Sequence, residues 1–533
     1  MTTPVSFHWH RYRYLPYEHR LAQREVEALL GVKPAEGEAG LTAVVRRVPA
    51  PALLSRLTYF REVRVNGATR VVPTQARLEA SAAAVLRDDE VPSLSRQSTR
   101  YSAHGLHEYR GKFHPHMVRA VGNLFSLPED AWILDPFCGS GTTLLEAAHA
   151  GWNALGVDCN PLGILVSRTK LAAVRVPISA LMEETHDLIA ALSRISQGID
   201  FEVALTRAAR KQLAEEPLRS ALPNRDYLES WFTTSVLAQL ECIQAHIERM
   251  SHAEARDIAR VVLSDCLREV SLQDPADLRI RRRKDPEENY PAIPTFLTTL
   301  RARVEAVARA RELLPGPRGV QDAILGDSRG SVPTAGARRG RGFDGIITSP
   351  PYATALPYID TQRLSLAFLG LVRFPGIRTL EAELIGNREI TQRQRVEAEA
   401  ALRLESDGLP EDALALCRRA MELVSSPTDG FRRRNVPALL FRYFRDMRSV
   451  LRKTLEVVRP GGFLAALVGP SRTTLGGREL AVDTPALLSS IGEHAGWEQG
   501  ETIPLDAYQR FALHRANSIR TEALVVLRKR RKA

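Results

Sequence analysis

The sequence has few cysteines and no long apolar run, and each shortage excludes a class of protein. Five cysteines occur among 533 residues, far apart and without a C-x-x-C pair, so neither a disulfide framework nor a zinc site is expected. No apolar stretch approaches membrane-spanning length, and the first residues, MTTPVSFHWHRYRYLP, lack the apolar region of a signal peptide. We therefore expect a cytoplasmic protein with no membrane partner and no bound metal.

The residues that are present describe a globular protein with an excess of basic side chains. Apolar residues make up 44% and charged residues 25% of the chain, a composition that can bury a large core. The net charge of +11 (73 basic and 62 acidic residues) favours a polyanionic partner. The basic residues cluster in four runs: RIRRRK (279–284), ARRGRG (337–342), FRRRN (431–435) and RKRRK (528–532). Such runs also occur on solvated surfaces, but together they favour nucleic acid.

Hydrophobic periodicity divides the chain into six segments, without internal repeats. The first segment has a helical pattern that Gly31 ends, and strand patterns that include an Asn-Gly turn. Strand–turn–helix–strand patterns then predict a parallel sheet, and hence an α/β fold, that two insertions interrupt. The segments are a small N-terminal α/β domain (1–95), the first part of the sheet domain (96–175), a helical insertion (176–314), the second part (315–372), a second insertion (373–437) and the C-terminal part (438–533).

The stretch ILDPFCGSGTT, residues 133–143, predicts a strand, a glycine-rich turn and the start of a helix. Glycines let a ligand approach the backbone, and the helix amino terminus offers free N–H groups to an anionic group. The P-loop lysine and the third glycine of the dinucleotide fingerprint are both missing. Asp158 ends the next strand, where an acid can accept both hydroxyls of a ribose. A ribose without a cradled pyrophosphate indicates S-adenosylmethionine as the cofactor.

The stretch FDGIITSPPY, residues 343–352, predicts a short buried strand that two prolines stop abruptly. Such a strand carries the residues that follow it to the carboxyl edge of the sheet, where ligands bind in open α/β proteins. A rigid turn without a ligand would use the same residues. The neighbouring glycine motif favours a ligand site.

On these motifs the sequence resembles the DNA amino-methyltransferases, which modify the exocyclic nitrogen of cytosine or adenine. The resemblance covers about residues 105–170 and 323–369 and the last hundred residues. It implies a Rossmann-like, S-adenosylmethionine-dependent methyltransferase sheet. The matching blocks are GLHEYRGKFHPHMV (105–118), DPFCGSGTT (135–143), GVDCNP (156–161), ILGDSR (324–329), TSPPY (348–352) and VVRPGGFLAALVG (457–469).

The resemblance also implies the residues of a cofactor site and a catalytic loop. The cofactor site would consist of Lys112, His114, Asp135, Phe137, Gly139, Gly141, Thr142, Asp158 and Asp327. The catalytic loop would consist of Ser349, Pro350, Pro351 and Tyr352. In this loop the serine and the first proline carbonyl would accept hydrogen bonds from the amine, so that its lone pair faces the methyl group. The tyrosine offers a flat face to an extruded base.

Several of these residues also have structural interpretations. Asp327 fits a helix N-cap. Cys138 fits a small turn residue better than a nucleophile, because a C5-cytosine enzyme would need a Pro-Cys pair and the chain has none. An exposed position at the end of its strand is expected for Asp158. His114 and His116 fit surface or cofactor-contact residues better than metal ligands.

The sequence therefore predicts an enzyme that methylates DNA. Ser-Pro-Pro-Tyr is more typical of cytosine enzymes of the family, so the expected product is N4-methylcytosine in a specific duplex site. The two insertions are the candidate target-recognition and DNA-contact regions, and a restriction endonuclease is a possible partner. A methyltransferase of guanine N2 in tRNA is one alternative, although its loop generally begins with Asp or Asn. A non-catalytic nucleic-acid-binding module with a methyltransferase fold is another.

Overall fold

A computed structural model describes most of the chain, and every structural statement below refers to these residues. They are 2–83, 97–197, 221–277, 280–286, 290–314, 316–330, 332–333, 342–353, 359–404, 408–424, 430–506 and 521–531. Arg279, most of the run at 337–342 and Lys532 lie outside them. Within the described ranges, no helix combines the length and apolar character that crossing a membrane requires.

The first strands and helices form a small unit around a five-stranded antiparallel sheet. Buried and more exposed residues largely alternate along the two strands that flank the central strand, which therefore pack one face on the core. Asn66 and Gly67 have φ of 52° and 71° and close the hairpin that the Asn-Gly pair predicts. The sheet order is β2-β3-β1-β4-β5. The elements are β1 (Thr3–Trp9), α1 (Pro16–Leu30), β2 (Ala35–Gly37), β3 (Gly40–Val45), α2 (Pro51–Leu54), β4 (Phe60–Val65), β5 (Thr69–Val71) and α3 (Thr74–Ala83).

The second sheet has seven strands in the order β13-β14-β10-β9-β6-β7-β8. Five of them, β10, β9, β6, β7 and β8, run parallel, whereas β14 runs antiparallel to both β10 and β13. The short strands β6 and β9 are almost wholly buried, as expected where helices cover both faces. The strands are β6 (Trp132–Asp135), β7 (Asn153–Asp158), β8 (Gln321–Leu325), β9 (Phe343–Thr348), β10 (Val458–Val468), β13 (Glu498–Asp506) and β14 (Thr521–Arg528), with a separate hairpin of β11 (Ser471–Leu475) and β12 (Arg478–Val482). The predicted Rossmann-like α/β fold is therefore confirmed.

Helices connect these strands and fill the two insertions. The first insertion follows α6 and contains α7 to α11, and the second contains α13 to α16. The predicted boundary at 437–438 falls inside α17, because Pro437 lies in its first turn, where proline removes no helical hydrogen bond. The helices are α4 (Pro115–Leu124), α5 (Thr142–Ala150), α6 (Pro161–Ala173), α7 (Ile178–Gln197), α8 (Arg225–Glu229), α9 (Thr234–Glu248), α10 (Ala253–Cys266), α11 (Ala292–Leu313), α12 (Arg363–Phe368), α13 (Ile377–Glu383), α14 (Gln392–Leu404), α15 (Glu411–Leu423), α16 (Phe431–Arg434), α17 (Val436–Val457) and α18 (Thr484–His494).

A buried polar bridge fixes the N-terminal unit to the seven-stranded sheet domain. Glu25 of α1 is fully buried and accepts hydrogen bonds from the Thr58 amide (3.2 Å) and hydroxyl (2.5 Å) and from Asn123 Nδ2 of α4 (2.8 Å). Asn123 Nδ2 also donates to the Arg56 carbonyl at 2.9 Å. One hydrophobic core continues from the first sheet into the second. The unit is thus packed in a fixed position beside the carboxyl edge of the second sheet.

Candidate active site

A cavity of about 570 Å³ lies at the carboxyl ends of the parallel strands. It includes the point where β6 lies between β7 on one side and β9 on the other, the position at which open α/β sheets bind ligands. Of the thirteen residues that the sequence predicts for the site, ten line this cavity and three do not. The ten are Lys112, His114, Phe137, Gly139, Asp158, Asp327, Ser349, Pro350, Pro351 and Tyr352.

The glycine turn follows β6 and brings its backbone close to the cavity. Gly139 has φ of 48°, and a Cβ there would lie 3.2 Å from the Tyr109 ring, so a side chain would enter the narrow part of the cavity. Gly141 has φ of 77°, precedes α5 and does not line the cavity. A Cβ at Gly141 would lie 2.7 Å from Ser167 Oγ, so this glycine is required for packing against α6. Thr142 is buried behind the turn.

Asp158 at the end of β7 holds the glycine turn in place. Its Oδ2 accepts a hydrogen bond from the Gly139 amide (2.9 Å), and its Oδ1 accepts one from the Asn160 amide (2.8 Å). Burial raises the pKa of this carboxyl, and the backbone hydrogen bonds oppose that shift. The expectation of an exposed acid is wrong, because Asp158 is partly buried and bound to two amides. Each carboxylate oxygen keeps a second lone pair, so the group can still accept hydrogen bonds from a ligand.

Asp135 ends β6 but lies behind the cavity. Its Oδ1 accepts hydrogen bonds from the Thr348 hydroxyl (2.7 Å) and the Phe137 amide (3.1 Å). Burial raises the pKa of Asp135 to about 6, although these hydrogen bonds lower it. Because Thr348 directly precedes the catalytic loop, Asp135 joins the glycine turn to that loop. Its position favours a role in orienting both segments and does not favour direct contact with a ligand.

Asp327 follows β8 and lines the cavity while it binds an arginine. Its carboxylate pairs with Arg329 (2.6 Å from Oδ2 to Nη2), and Arg329 also reaches Asp446 of α17 at 3.0 Å. Burial alone would raise the pKa of Asp327, but hydrogen bonds and the charge of Arg329 hold it below the usual value. The N-cap interpretation is wrong, because the Asp327 carboxylate accepts from the Arg329 amide in a turn that starts no helix.

The loop Ser349–Tyr352, predicted to be catalytic, is fixed by partners from distant parts of the chain. Ser349 Oγ donates a hydrogen bond to the Leu467 carbonyl of β10 at 3.3 Å. The Tyr443 hydroxyl of α17 donates to the Pro351 carbonyl at 2.9 Å. The Tyr352 hydroxyl donates to the carboxylate of Glu522 on β14. Because the Ser349 hydroxyl uses its hydrogen on a backbone carbonyl, its oxygen presents lone pairs to the cavity.

Three basic residues of the block at 105–118, Arg110, Lys112 and His114, also line the cavity. Lys112 Nζ donates to the carbonyls of Thr99 (3.0 Å) and His104 (3.3 Å), which fixes the segment that precedes α4. His114 lies at the N-cap of α4. His116, in contrast, is buried and bonded to Glu79 Oε1 at 2.6 Å. The surface interpretation of His116 is wrong, because this residue belongs to the buried contact between α3 and α4.

The thiol of Cys138 occupies the inner side of the glycine turn. It is buried against Gly156 of β7, where an added Cβ would lie 2.6 Å from the Cys138 Cβ. Burial raises the pKa of this thiol well above its usual value, which disfavours the thiolate. Its position supports the turn interpretation.

Two further groups of cavity residues were not among those predicted from the sequence. Tyr109 lines the cavity, and its hydroxyl accepts a hydrogen bond from Asn160 Nδ2 at 3.2 Å. Asn160 also donates to Gln362 Oε1 of the loop before α12 and caps α6. Asn160 lies within the GVDCNP block, so the block itself was the available signal. The second group comes from the N-terminal unit and comprises Arg13, Leu15, Tyr17 and Glu18.

Parts of this chain are similar to known proteins. Residues 98–163 match a family model described as DNA methylase. The chain is 23% identical over 326 residues to the Type II methyltransferase M.BsoBI of Geobacillus stearothermophilus. The aligned region covers 58% of this chain and 62% of that protein. It is 23% identical over 283 residues to the Type II methyltransferase M.MvaI of Kocuria varians, with 51% and 59% covered. The chain thus spans about three-fifths of the length of these relatives.

Among solved structures, TrmN from Thermus thermophilus aligns with 99% of each chain at 12% identity and a TM-score of 0.30, which is too low to support an argument. The family model and the two curated relatives confirm the resemblance to the DNA amino-methyltransferases.

Proposed function

We propose that this chain is an S-adenosylmethionine-dependent DNA methyltransferase that modifies cytosine N4 in a specific duplex site. The observation that carries the proposal is one shared cavity, which both the glycine turn with Asp158 and the loop Ser349–Tyr352 line. A methyl donor and an amine acceptor must meet within one enclosed space for direct transfer. The description DNA methylase of the family model and the name Type II methyltransferase of the two relatives support a role in DNA modification. A cytoplasmic location and a restriction endonuclease as a possible partner are part of the same proposal.

The cofactor half fits a nucleoside with a charged tail. The absence of a Cβ at Gly139 leaves room beside the backbone, and a lone pair of each Asp158 oxygen remains for ribose hydroxyls. Lys112, His114 and Phe137 line the same half, and Asp327 lies at the end of the neighbouring strand. S-adenosylmethionine, when bound, would supply an electrophilic methyl group. The residues around it bind and orient the donor.

The catalytic loop prepares the amine. An exocyclic amine is a weak nucleophile because its lone pair is delocalised into the ring. The Ser349 oxygen and the Pro350 carbonyl can accept the amine hydrogens, which favours a tetrahedral nitrogen with a localised lone pair. Transfer would form the N–C bond as the S–C bond of the donor breaks, which would leave a neutral thioether, and the methylated nitrogen would release its extra proton to solvent water. No covalent intermediate with the protein is needed.

The preference for cytosine rests on Ser349. A serine is shorter than the Asp or Asn of other loops and is neutral, so it suits a smaller base held closer to the loop. It also avoids a negative charge beside the acceptors O2 and N3 of cytosine. A carboxylate could accept the same hydrogen bond from an amine. Identification of the methylated base in the product is therefore the test of this preference.

The two insertions are proposed to form the target-recognition surface, but their basic runs differ. In the first run, Arg282 lies over Trp231 (5.3 Å) and Arg283 lies over Tyr290 (4.6 Å), and both donate to backbone carbonyls. These arginines therefore stabilise the insertion. The arginines of α16, Arg432 to Arg434, are exposed on one short helix and are the proposed phosphate contacts.

Salt dependence separates these two roles of the basic runs. The slope of log affinity against log salt is about −0.9 for each phosphate neutralised on duplex DNA. Replacing Arg432 to Arg434 with glutamine should flatten that slope. Replacing Arg282 and Arg283 should mainly lower the free energy of unfolding. An unchanged slope in the first variant would make α16 a solvated surface.

Nucleoside mass spectrometry tests the proposed reaction. The protein is incubated with labelled S-adenosylmethionine and either duplex DNA or tRNA, and we expect N4-methylcytosine in the DNA only. N6-methyladenine alone would overturn the base assignment, and methyl transfer to tRNA alone would favour the RNA enzyme. Cofactor affinity by calorimetry separates both enzymes from a non-catalytic module, which would bind no cofactor.

A further inference from the structure

The N-terminal unit forms part of the cavity wall in a fixed position. Besides the Glu25 bridge, α1 contacts β13 of the second sheet, because Arg20 donates to the Pro504 carbonyl at 2.9 Å and Arg24 pairs with Glu501. The residues of the unit that line the cavity lie at the start of α1 and just before it. A side chain held there has a defined position relative to Ser349, which lines the same cavity.

The side chains of Glu18 and Gln97 form a hydrogen-bonded carboxylate–amide pair in the cavity wall. Glu18 is 5% exposed; its Oε2 accepts a hydrogen bond from the Leu15 amide (2.7 Å), and its Oε1 accepts one from Gln97 Nε2 (2.6 Å). Both Glu18 and Gln97 line the cavity. The Leu15 amide fixes the carboxylate, and the carboxylate in turn fixes which end of the Gln97 amide faces it. The second Nε2 hydrogen and the Oε1 acceptor of Gln97 are then presented in a set orientation.

We propose that Gln97 reads the edge of the target base and that Glu18 is its positioning residue. Cytosine and adenine each carry a ring-nitrogen acceptor beside the amine, and the second Nε2 hydrogen of Gln97 is a donor that matches this acceptor. Gln97 Nε2 would donate to N3 of cytosine or N1 of adenine, while the Ser349 oxygen and the Pro350 carbonyl accept the hydrogens of the neighbouring amine. Guanine and thymine carry a hydrogen on that ring nitrogen, so the same amide rejects them. This inference rests on the proposed function and gives the N-terminal unit a role in base selection.

Substrates that lack the ring nitrogen test this inference. The site is first mapped, and the target cytosine is then replaced with 3-deazacytosine, or a target adenine with 1-deazaadenine. In the wild type, loss of one hydrogen bond should lower kcat/KM about tenfold. In Gln97→Ala, kcat/KM on the normal duplex should fall by about the same factor, and the deaza base should cause no further loss. Cofactor affinity by calorimetry should stay within about twofold of the wild type, because one lost bond to the base removes none to the cofactor.

A second variant and a matched control separate this role from a structural one. Glu18→Gln keeps the shape of the side chain but leaves one acceptor for two donors, so the deaza penalty should shrink there too. The pair Gln23–Glu36 is an exposed amide–carboxylate contact (3.1 Å) on the same unit and away from the cavity. Gln23→Ala should keep both the activity and the full deaza penalty of the wild type.

Three outcomes of these experiments would contradict the role of Gln97. A full deaza penalty in Gln97→Ala would overturn the inference and leave the proposed methyltransferase intact. Weaker cofactor binding with an unchanged deaza penalty would assign Gln97 to the cofactor and would likewise overturn it. A wild-type protein that transfers no methyl group to DNA would overturn the proposed function, and this inference with it.

Discussion

The two halves of the cavity are built by different means. In the cofactor half, Asp158 binds the Gly139 amide 19 residues away and the Asn160 amide two residues away. In the base half, Ser349 and Tyr352 bind partners 118 and 170 residues away. The glycine turn and Asp158, at the centre of the proposed cofactor half, are therefore a local assembly of two consecutive strand ends. The loop of the base half takes its conformation from strands and helices of the whole sheet domain.

This difference predicts how each half responds to substitution. Changes in the cofactor half should alter cofactor binding and, because the contacts are backbone contacts, local stability. Changes around the loop should alter turnover while cofactor binding remains. Asp135 is the exception, because it bonds to both the Phe137 amide and the Thr348 hydroxyl. Four measurements test this division.

The largest effect is expected for Asp158→Ala. Loss of a charged acceptor should weaken cofactor binding by about 10- to 100-fold. The two unpaired amides should also lower the free energy of unfolding by about 1–2 kcal/mol. Calorimetry and urea unfolding measure the two effects. Asp322→Ala, which removes an exposed acid of β8 that pairs with Arg168, is the control. A folded Asp158 variant with normal cofactor affinity would remove this residue from the site.

Ser349→Ala should lower kcat about tenfold while the Kd for cofactor and for DNA stays within about twofold, because its hydrogen bond strengthens as the nitrogen becomes tetrahedral. The readout is single-turnover methyl transfer together with the two binding constants. Ser449→Ala removes a hydroxyl that donates to a backbone carbonyl (3.1 Å) on α17 outside the cavity, and it should change nothing. Equal losses in kcat and DNA affinity would contradict a transition-state role.

Asp135 should make stability depend on pH. Its pKa of about 6 in the fold lies above the value of about 3.9 in an unfolded chain. A raised carboxyl pKa stabilises the fold below about pH 4, and this contribution is lost as the pH rises through about 6. The free energy of unfolding of the wild type relative to Asp135→Asn should therefore increase by about 1 kcal/mol from pH 7 to pH 5. A difference that is the same at both pH values would contradict the raised pKa.

Tyr352→Phe should have the smallest effect. It keeps the stacking ring but removes the hydrogen bond to Glu522, so kcat should fall about threefold with unchanged cofactor affinity. Tyr443→Phe removes the bond to the Pro351 carbonyl and should act in the same direction. Turnover assays with calorimetry measure both. A change in cofactor affinity in either variant would mean that the two halves are not separate.

The same difference explains what the sequence could predict. The glycine turn and the strand-end acids lie close together in the chain, so consecutive residues predict their chemistry. The ion pair between Asp327 and Arg329 lies within one sequence block. Arg329, however, also pairs with Asp446, which is 117 residues away. Glu18 and Gln97 are 79 residues apart. No local pattern in the sequence indicates that such residues meet, because their contact depends on how the first unit packs on the second.

The pairing of β6 with β9 at the centre of the sheet has a consequence for folding. The Trp132 amide bonds to the Asp344 carboxylate across 212 residues, so this contact has a very high sequence separation. Loop-closure entropy makes such contacts slow to form. On the ribosome, β6 and β7 emerge long before β9, and one edge of β6 stays unpaired until then. A nascent chain that stops before Phe343 would expose an apolar strand edge, which favours aggregation and chaperone binding.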